Sequence, residues 1–161
     1  MCGANRRRSN EREVHLIRRN ALPLLLLVAA VAVVAAPIAS AGPSKRELIT
    51  GLSGQEEAPK AGDPDGYGAA AVDLGRGNKV CFRIDAEQIG TAVAGHIHEA
   101  AKGKAGPVVV PLFMGDVPSR TRCVRAKRSL VRDILRDPAD YYVNVHTPDF
   151  PDGAIRGQLT K

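Results

Sequence analysis

Three histidines carry the main chemical possibility in this sequence. His96 and His98 lie two residues apart in Gly95-His-Ile-His-Glu99, and His146 lies in Tyr141-Tyr-Val-Asn-Val-His-Thr147. If both segments are strands, His96 and His98 project from one face, because successive side chains of a strand point to opposite sides. Neutral imidazole binds copper and zinc, and three such ligands can form a metal site. One hypothesis is therefore a copper or zinc site at these three residues.

The alternative is a hydrogen-bonded polar seam that holds no metal. Arg156 could anchor it, because a planar guanidinium can hold carboxylates or carbonyls in a fixed geometry. Three histidines alone are a weak ligand signal, so the sequence favours the seam. The polar side chains that could join the seam, or could orient metal-bound imidazoles, are Glu99, Asn144, Asp149 and Gln158.

Signals for catalysis are weak. The chain contains no Gly-x-Ser-x-Gly motif around a nucleophile. Glu56 and Glu57 are adjacent carboxylates, but they lie in a loop rich in proline and glycine. We expect both to be solvated rather than to act as an acid and base pair. The sequence thus favours a protein that is not an enzyme.

Residues 1–41 predict an export signal. Six arginines within the first 20 residues precede the apolar run 21–36, and Ala39-Ser-Ala41 fits a cleavage site before Gly42. The alternative is an uncleaved membrane anchor, because residues 21–41 are close to the minimum length for a spanning helix. Both interpretations place residues 42–161 outside the cytoplasm, secreted or in the cell envelope. The domain would contact a membrane only through an uncleaved leader.

Without the leader, the charge balance and the cysteine count both change. The leader holds six of the 23 basic residues and two of the 17 acidic residues, which leaves a net charge of about +2. No basic stripe with interleaved aromatic residues remains, which argues against nucleic acid as a partner.

Cys81 and Cys123 are the cysteines that remain without the leader. In an exported chain they predict one disulfide, and two free thiols are the alternative.

Short strands separated by turn signals dominate residues 42–161. In the segment 79–85, Val80, Phe82 and Ile84 share one face, so we expect Cys81 to lie on the outer side or at an edge. One helix is predicted over 129–136 with Ser129 as its N-cap. The fold class predicted is all-β, an antiparallel Greek-key β-sandwich or barrel with one short helix, preceded by the N-terminal signal helix. The predicted strands are 47–52, 67–74, 79–85, 93–99, 107–113, 141–147 and 154–160.

Two further expectations concern burial. The apolar run 107–113 is nearly continuous, which predicts a strand buried on both faces. The charged stretch 120–136 predicts a solvated helix and loop face rather than a binding patch.

In the order and spacing of its motifs the chain resembles the CHRD domain, an exported β-rich module that also occurs in chordin. The motifs are Gly54-Gln-Glu-Glu-Ala-Pro59, Gly66-Tyr-Gly68, Gly95-His-Ile-His-Glu99, Gly106-Pro-Val-Val-Val-Pro-Leu112, Tyr141-Tyr-Val-Asn-Val-His-Thr147 and Phe150-Pro-Asp-Gly-Ala-Ile-Arg-Gly-Gln-Leu159. The resemblance implies that residues 42–161 form a CHRD domain. It implies a non-enzymatic binding or structural module with an extracellular or cell-envelope protein as partner.

A weaker likeness is to copper/zinc superoxide dismutases. Gly95-His-Ile-His-Glu99 is similar to their His-x-His-Glu strand, and Arg156-Gly157 is similar to an Arg-Gly near their C-terminus. The likeness implies copper binding at His96 and His98, with superoxide dismutase-like redox activity as an alternative function. Those enzymes use about six histidines and an aspartate for two metals, whereas residues 42–161 hold three histidines. Dismutase activity by that mechanism is therefore not expected.

Overall fold

The computed structural model describes residues 46–161, and these residues form eight strands and one α-helix. Short 3-10 turns lie at Gly54–Glu56, Arg76–Asn78 and Pro138–Asp140. The predicted signal at 1–41 falls outside the described residues. Within 46–161, no helix combines the length and the apolar character needed to cross a membrane. The elements are β1 (Glu47–Ser53), β2 (Tyr67–Asp73), β3 (Lys79–Glu87), β4 (Ala94–Glu99), β5 (Val108–Met114), β6 (Arg122–Arg125), α1 (Arg128–Arg136), β7 (Tyr141–His146) and β8 (Ile155–Gln158).

All eight strands belong to one antiparallel sheet in the order β5-β4-β7-β8-β1-β2-β3-β6. Strands β1, β2 and β3 form a meander, and the last strand, β8, lies on the other side of β1. Residues of β5 approach residues of β6, so the sheet curls into a nearly closed barrel. The predicted all-β antiparallel fold with one helix is confirmed.

The barrel interior is filled by alternate side chains of the strands. In β3, Val80, Phe82 and Ile84 are buried while the residues between them face outward. The helix α1 adds Val131 and Ile134 to the same core. The prediction that Ser129 caps this helix is wrong, because the helix begins one residue earlier and its N-cap, Lys127, makes no side-chain capping bond.

Two expectations about the strands need correction, and both errors occur at the ends of the sheet. The apolar run 107–113 is not buried on both faces, since it lies largely in the edge strand β5, where Val108 and Pro111 are exposed. An edge strand tolerates Pro111, because it needs no N–H on its free side. At the other edge, β6 is a strand within the stretch that was predicted as helix and loop.

The Cys81–Cys123 disulfide is present and joins β3 to the edge strand β6. The two cysteines are direct partners in the β3–β6 register, and the S–S distance is 2.07 Å. Their side chains lie on the outer face, opposite the buried row of β3, as the alternation in the sequence predicted. The bond therefore fastens an edge strand of only four residues to the rest of the sheet.

Candidate functional site

The β4–β7 register brings the three histidines onto one face of the sheet. In this register Ala94 lies opposite His146, His96 opposite Asn144, and His98 opposite Tyr142. Directly opposed residues of an antiparallel pair project to the same side, so all three imidazoles lie on the outer face. The inner face of the same strands carries the core residues Ile97, Val143 and Val145.

The nitrogens of the three imidazoles converge. One ring nitrogen from each histidine lies within 4.8 Å of the other two. The closest pair is His96 Nδ1 and His146 Nε2, at 3.1 Å. Two nitrogens bound to one tetrahedral zinc are about 3.3 Å apart, because each Zn–N bond is about 2.0 Å long. The spacing of this pair is thus close to that of two ligands of one metal ion.

Backbone carbonyls set the tautomers of two of the imidazoles. His98 Nδ1 lies 2.9 Å from the oxygen of Gly106, and His146 Nδ1 lies 2.9 Å from the oxygen of Pro151. A carbonyl only accepts, so each Nδ1 carries the proton and each Nε2 keeps a lone pair that can accept a hydrogen bond or bind a metal ion. His96 Nδ1 then donates to His146 Nε2. Metal-bound histidines are oriented by bonds of this kind.

Burial keeps the three imidazoles neutral. Burial, assisted by the repulsion of a positive charge by His146 and His98, lowers the pKa of His96 from 6.5 to about 4. Burial is also the main cause of the lowered pKa values of His98 and His146. At neutral pH the cluster therefore presents uncharged rings, which is the form of imidazole that binds a metal ion.

A polar network lies beside the histidines on the same face. Arg156 is fully buried and donates from Nη1 to the oxygen of Lys104 at 2.8 Å and from Nη2 to the oxygen of Ala101 at 3.3 Å. Its Nη2 also donates to Gln158 Oε1 at 3.2 Å, and Gln158 Nε2 donates to the oxygen of Ala100 at 2.7 Å. These bonds tie the loop of residues 100–107 to β8.

Tyr142 links this network to the histidine cluster. The guanidinium of Arg156 lies 3.4 Å from the centre of the Tyr142 ring. The ring of His98 stacks on the same tyrosine, with centroids 4.8 Å apart and an interplanar angle of 13°. The polar seam and the histidine cluster, which the sequence presented as alternatives, are thus contiguous parts of one surface.

Glu57 belongs to this surface, and the prediction that it is solvated is wrong. Asn144 Nδ2 donates to Glu57 Oε1 at 2.7 Å. Burial raises the pKa of Glu57 from 4.5 to about 7, although Arg156 and the bond from Asn144 act in the opposite direction. Its neighbour Glu56 instead pairs with Lys102 at 2.9 Å, near the surface. The signal for Glu57 lay in Gly54-Gln-Glu-Glu-Ala-Pro59, one of the motifs that carry the family resemblance.

Gly153 allows the turn before β8 to approach this pair closely. Its φ of +143° is unfavourable for other residues. A Cβ at this position would lie 2.3 Å from Asn144 Nδ2 and 2.4 Å from Glu57 Oε1. A side chain at this position would therefore collide with Asn144 and Glu57, in addition to straining the backbone of the turn.

Two of the polar residues singled out in the sequence lie elsewhere. Glu99 is exposed at the end of β4, opposite Tyr141. By the alternation of the strand it belongs to the inner face, which the histidines do not share. Asp149 is exposed in the loop after β7, where it lines a cavity of about 390 Å³ together with Glu57 and Asp152. Asn144, Arg156 and Gln158 are the ones that lie beside the histidines.

Comparison with known proteins agrees with the motifs. The family model described as CHRD domain matches residues 48–159, which includes all eight strands except the first residue of β1. Searches of curated proteins and of solved structures find no match. Since the family model covers more than half of the sequence and the matched segment is the β-barrel described above, this chain belongs to the CHRD domain family.

Proposed function

We propose that this protein is an exported CHRD module that acts outside the cytoplasm as a non-enzymatic binding or structural domain. Three features support the proposal: the signal-like leader, the CHRD barrel and the outward-facing disulfide, which is typical of oxidising compartments. The disulfide carries most weight, because a bond that fastens an edge strand is of use only where it stays oxidised. The proposed partner is an extracellular or cell-envelope protein.

Export predicts a defined mature protein. When the full chain is expressed in a host with a general secretion pathway, we expect a product that begins at Gly42, because Ala39-Ser-Ala41 supplies the small residues that signal peptidase requires. N-terminal sequencing and the intact mass of the extracytoplasmic fraction measure this. Full-length protein in the membrane fraction would support the anchor instead, and full-length protein in the cytoplasm would contradict export.

A second candidate function is metal binding, and the convergence of the three histidines favours it. The donor atoms are three neutral nitrogens, which suit copper and zinc rather than calcium or magnesium, since these ions prefer oxygen ligands. The carbonyls of Gly106 and Pro151 orient two of the rings as the outer partners of metal-bound histidines do.

Calorimetric titration with Cu(II) and Zn(II) tests this second function. We expect one ion bound per chain with a Kd below about 1 μM. The double variant His96→Ala/His98→Ala should weaken binding by about 100-fold or more, because one imidazole alone cannot hold the ion.

A matched double variant, Arg83→Ala/Asp85→Ala, removes an exposed ion pair on β3 and should bind the metal like the wild type. If the wild type binds neither ion, or if the histidine variant binds as tightly as the wild type, the metal function is excluded.

A further inference from the structure

We propose that the three-histidine cluster is a copper site and that Met114 supplies a fourth donor through its thioether sulfur. The proposal deepens the second candidate function and rests on it. It adds the identity of the metal, the ligating atoms and a residue on a neighbouring strand. The hydrogen bonds of the imidazoles indicate the ligating atoms, the strand register indicates Met114, and the types of donor atom indicate the metal.

The ligating nitrogens follow from the hydrogen bonds. His98 Nε2 is buried and has no hydrogen-bond partner among the described residues, so a buried lone pair is left without a donor. His146 Nε2 also carries a lone pair, since its Nδ1 is bonded to Pro151. His96 Nδ1 lies 3.1 Å from that atom and becomes the third ligand when its proton moves to Nε2 of the same ring. The ring remains neutral in that exchange.

This donor set favours copper among the common divalent ions. For a given site of nitrogen ligands, affinity rises along the first transition series to Cu(II) and falls again at Zn(II). The three nitrogens come from two adjacent strands, and His96 and His146 are only half-buried, which leaves the outer side of the cluster open. A further ligand must therefore approach from the surface.

Met114 is placed to be that ligand. Ala94 of β4 is the direct partner of Met114 on β5 and of His146 on β7, so the three residues form one row on the outer face. Neighbouring strands are about 4.8 Å apart, so the Cα atoms of Met114 and His146 are about 10 Å apart. Only the methyl group of Ala94 stands between them. A methionine and a histidine side chain can span that gap from its two sides.

The exposure of Met114 agrees with this role. Its side chain is 78% exposed, whereas Leu112 and Phe113 on the same strand are buried in the core. The thioether is thus free to move, and it is not used in packing. It is also the one sulfur in residues 46–161 outside the disulfide. Thioethers are soft ligands that select Cu(I), so the sulfur should matter most for the reduced ion.

The test compares the purified wild type with Met114→Leu, a substitution that keeps the volume and removes the sulfur. Cu(I) affinity is measured by competition with bicinchoninate in anaerobic buffer, and Cu(II) and Zn(II) affinities are measured by calorimetry. We expect Met114→Leu to weaken Cu(I) binding by about tenfold or more and to leave Zn(II) binding nearly unchanged. Ile49→Leu, at an exposed residue of β1, is the matched control and should change neither affinity.

X-ray absorption at the copper edge supplies a second, independent measurement. The Cu(I) form of the wild type should show nitrogen scatterers and one sulfur scatterer, and Met114→Leu should show nitrogen alone. Equal Cu(I) affinities, or a spectrum without sulfur in the wild type, would overturn the assignment of Met114 while the three-histidine site stands. A wild type that binds no metal would overturn both.

Discussion

Replacing Arg156 with alanine is expected to lower the free energy of unfolding by about 3 kcal/mol or more. The guanidinium is fully buried and donates to two carbonyls of the 100–107 loop and to Gln158. Its removal leaves these acceptors without their donor, opens a cavity under the loop and removes the cation from the face of Tyr142. Arg156→Lys should lose much of the same free energy, because an ammonium cannot reproduce the planar fork of donors.

Urea unfolding followed by circular dichroism measures the effect, and Arg83→Ala is the matched control. Arg83 is an exposed arginine that contacts Asp85 at 3.3 Å, and surface pairs of this kind contribute at most about 1 kcal/mol. If Arg156→Ala and Arg83→Ala lower the free energy of unfolding equally, the hydrogen bonds of Arg156 do not stabilise the 100–107 loop.

Much of the fold can be predicted from strands that bury one face, because such strands alternate apolar and polar residues in the sequence. In β3 the alternation of Val80, Phe82 and Ile84 with polar residues identifies both the strand and its inner face, and it places Cys81 outside. The edge strands are harder to predict, because little of each is buried. The residues of β6 are mostly exposed, so it lacks a buried apolar row and resembles a solvated loop. In β5 an unbroken apolar run hides the fact that one side has no neighbouring strand.

The candidate site was predictable in residue type but not in arrangement. Two histidines on one strand share a face by local geometry alone, whereas the position of His146 beside them depends on the β4–β7 register. A slip of one residue would turn it to the other face. Glu57 shows the same limit, because its local sequence is that of a solvated loop. It is partly buried beside Asn144, which lies 87 residues further along the chain.

Removal of the disulfide is the other change with a large expected effect. The bond closes a loop between residues 42 positions apart, and the chain-entropy model assigns such a loop about 4 kcal/mol of stability. We expect Cys81→Ala/Cys123→Ala to lose a comparable free energy of unfolding. For a domain of this size, that loss lowers the melting temperature by more than about 10 °C. Thermal and urea unfolding of the wild type, in its oxidised and reduced forms, and of the double variant measure the effect.

The expected loss arises mainly in the unfolded chain, and this gives the prediction a second, sharper form. The disulfide lies between β3 and β6, whereas the three histidines and the polar network beside them lie on β4, β7 and β8. If the bond acts by restricting the unfolded state, the folded variant should keep the circular dichroism of the wild type and any metal affinity that the wild type has. If the circular dichroism of the variant differs from that of the wild type at temperatures below the melting transition, the bond instead keeps β6 in its position in the folded sheet. The edge strand would then need a covalent attachment because its four residues bury too little surface to hold it in the sheet.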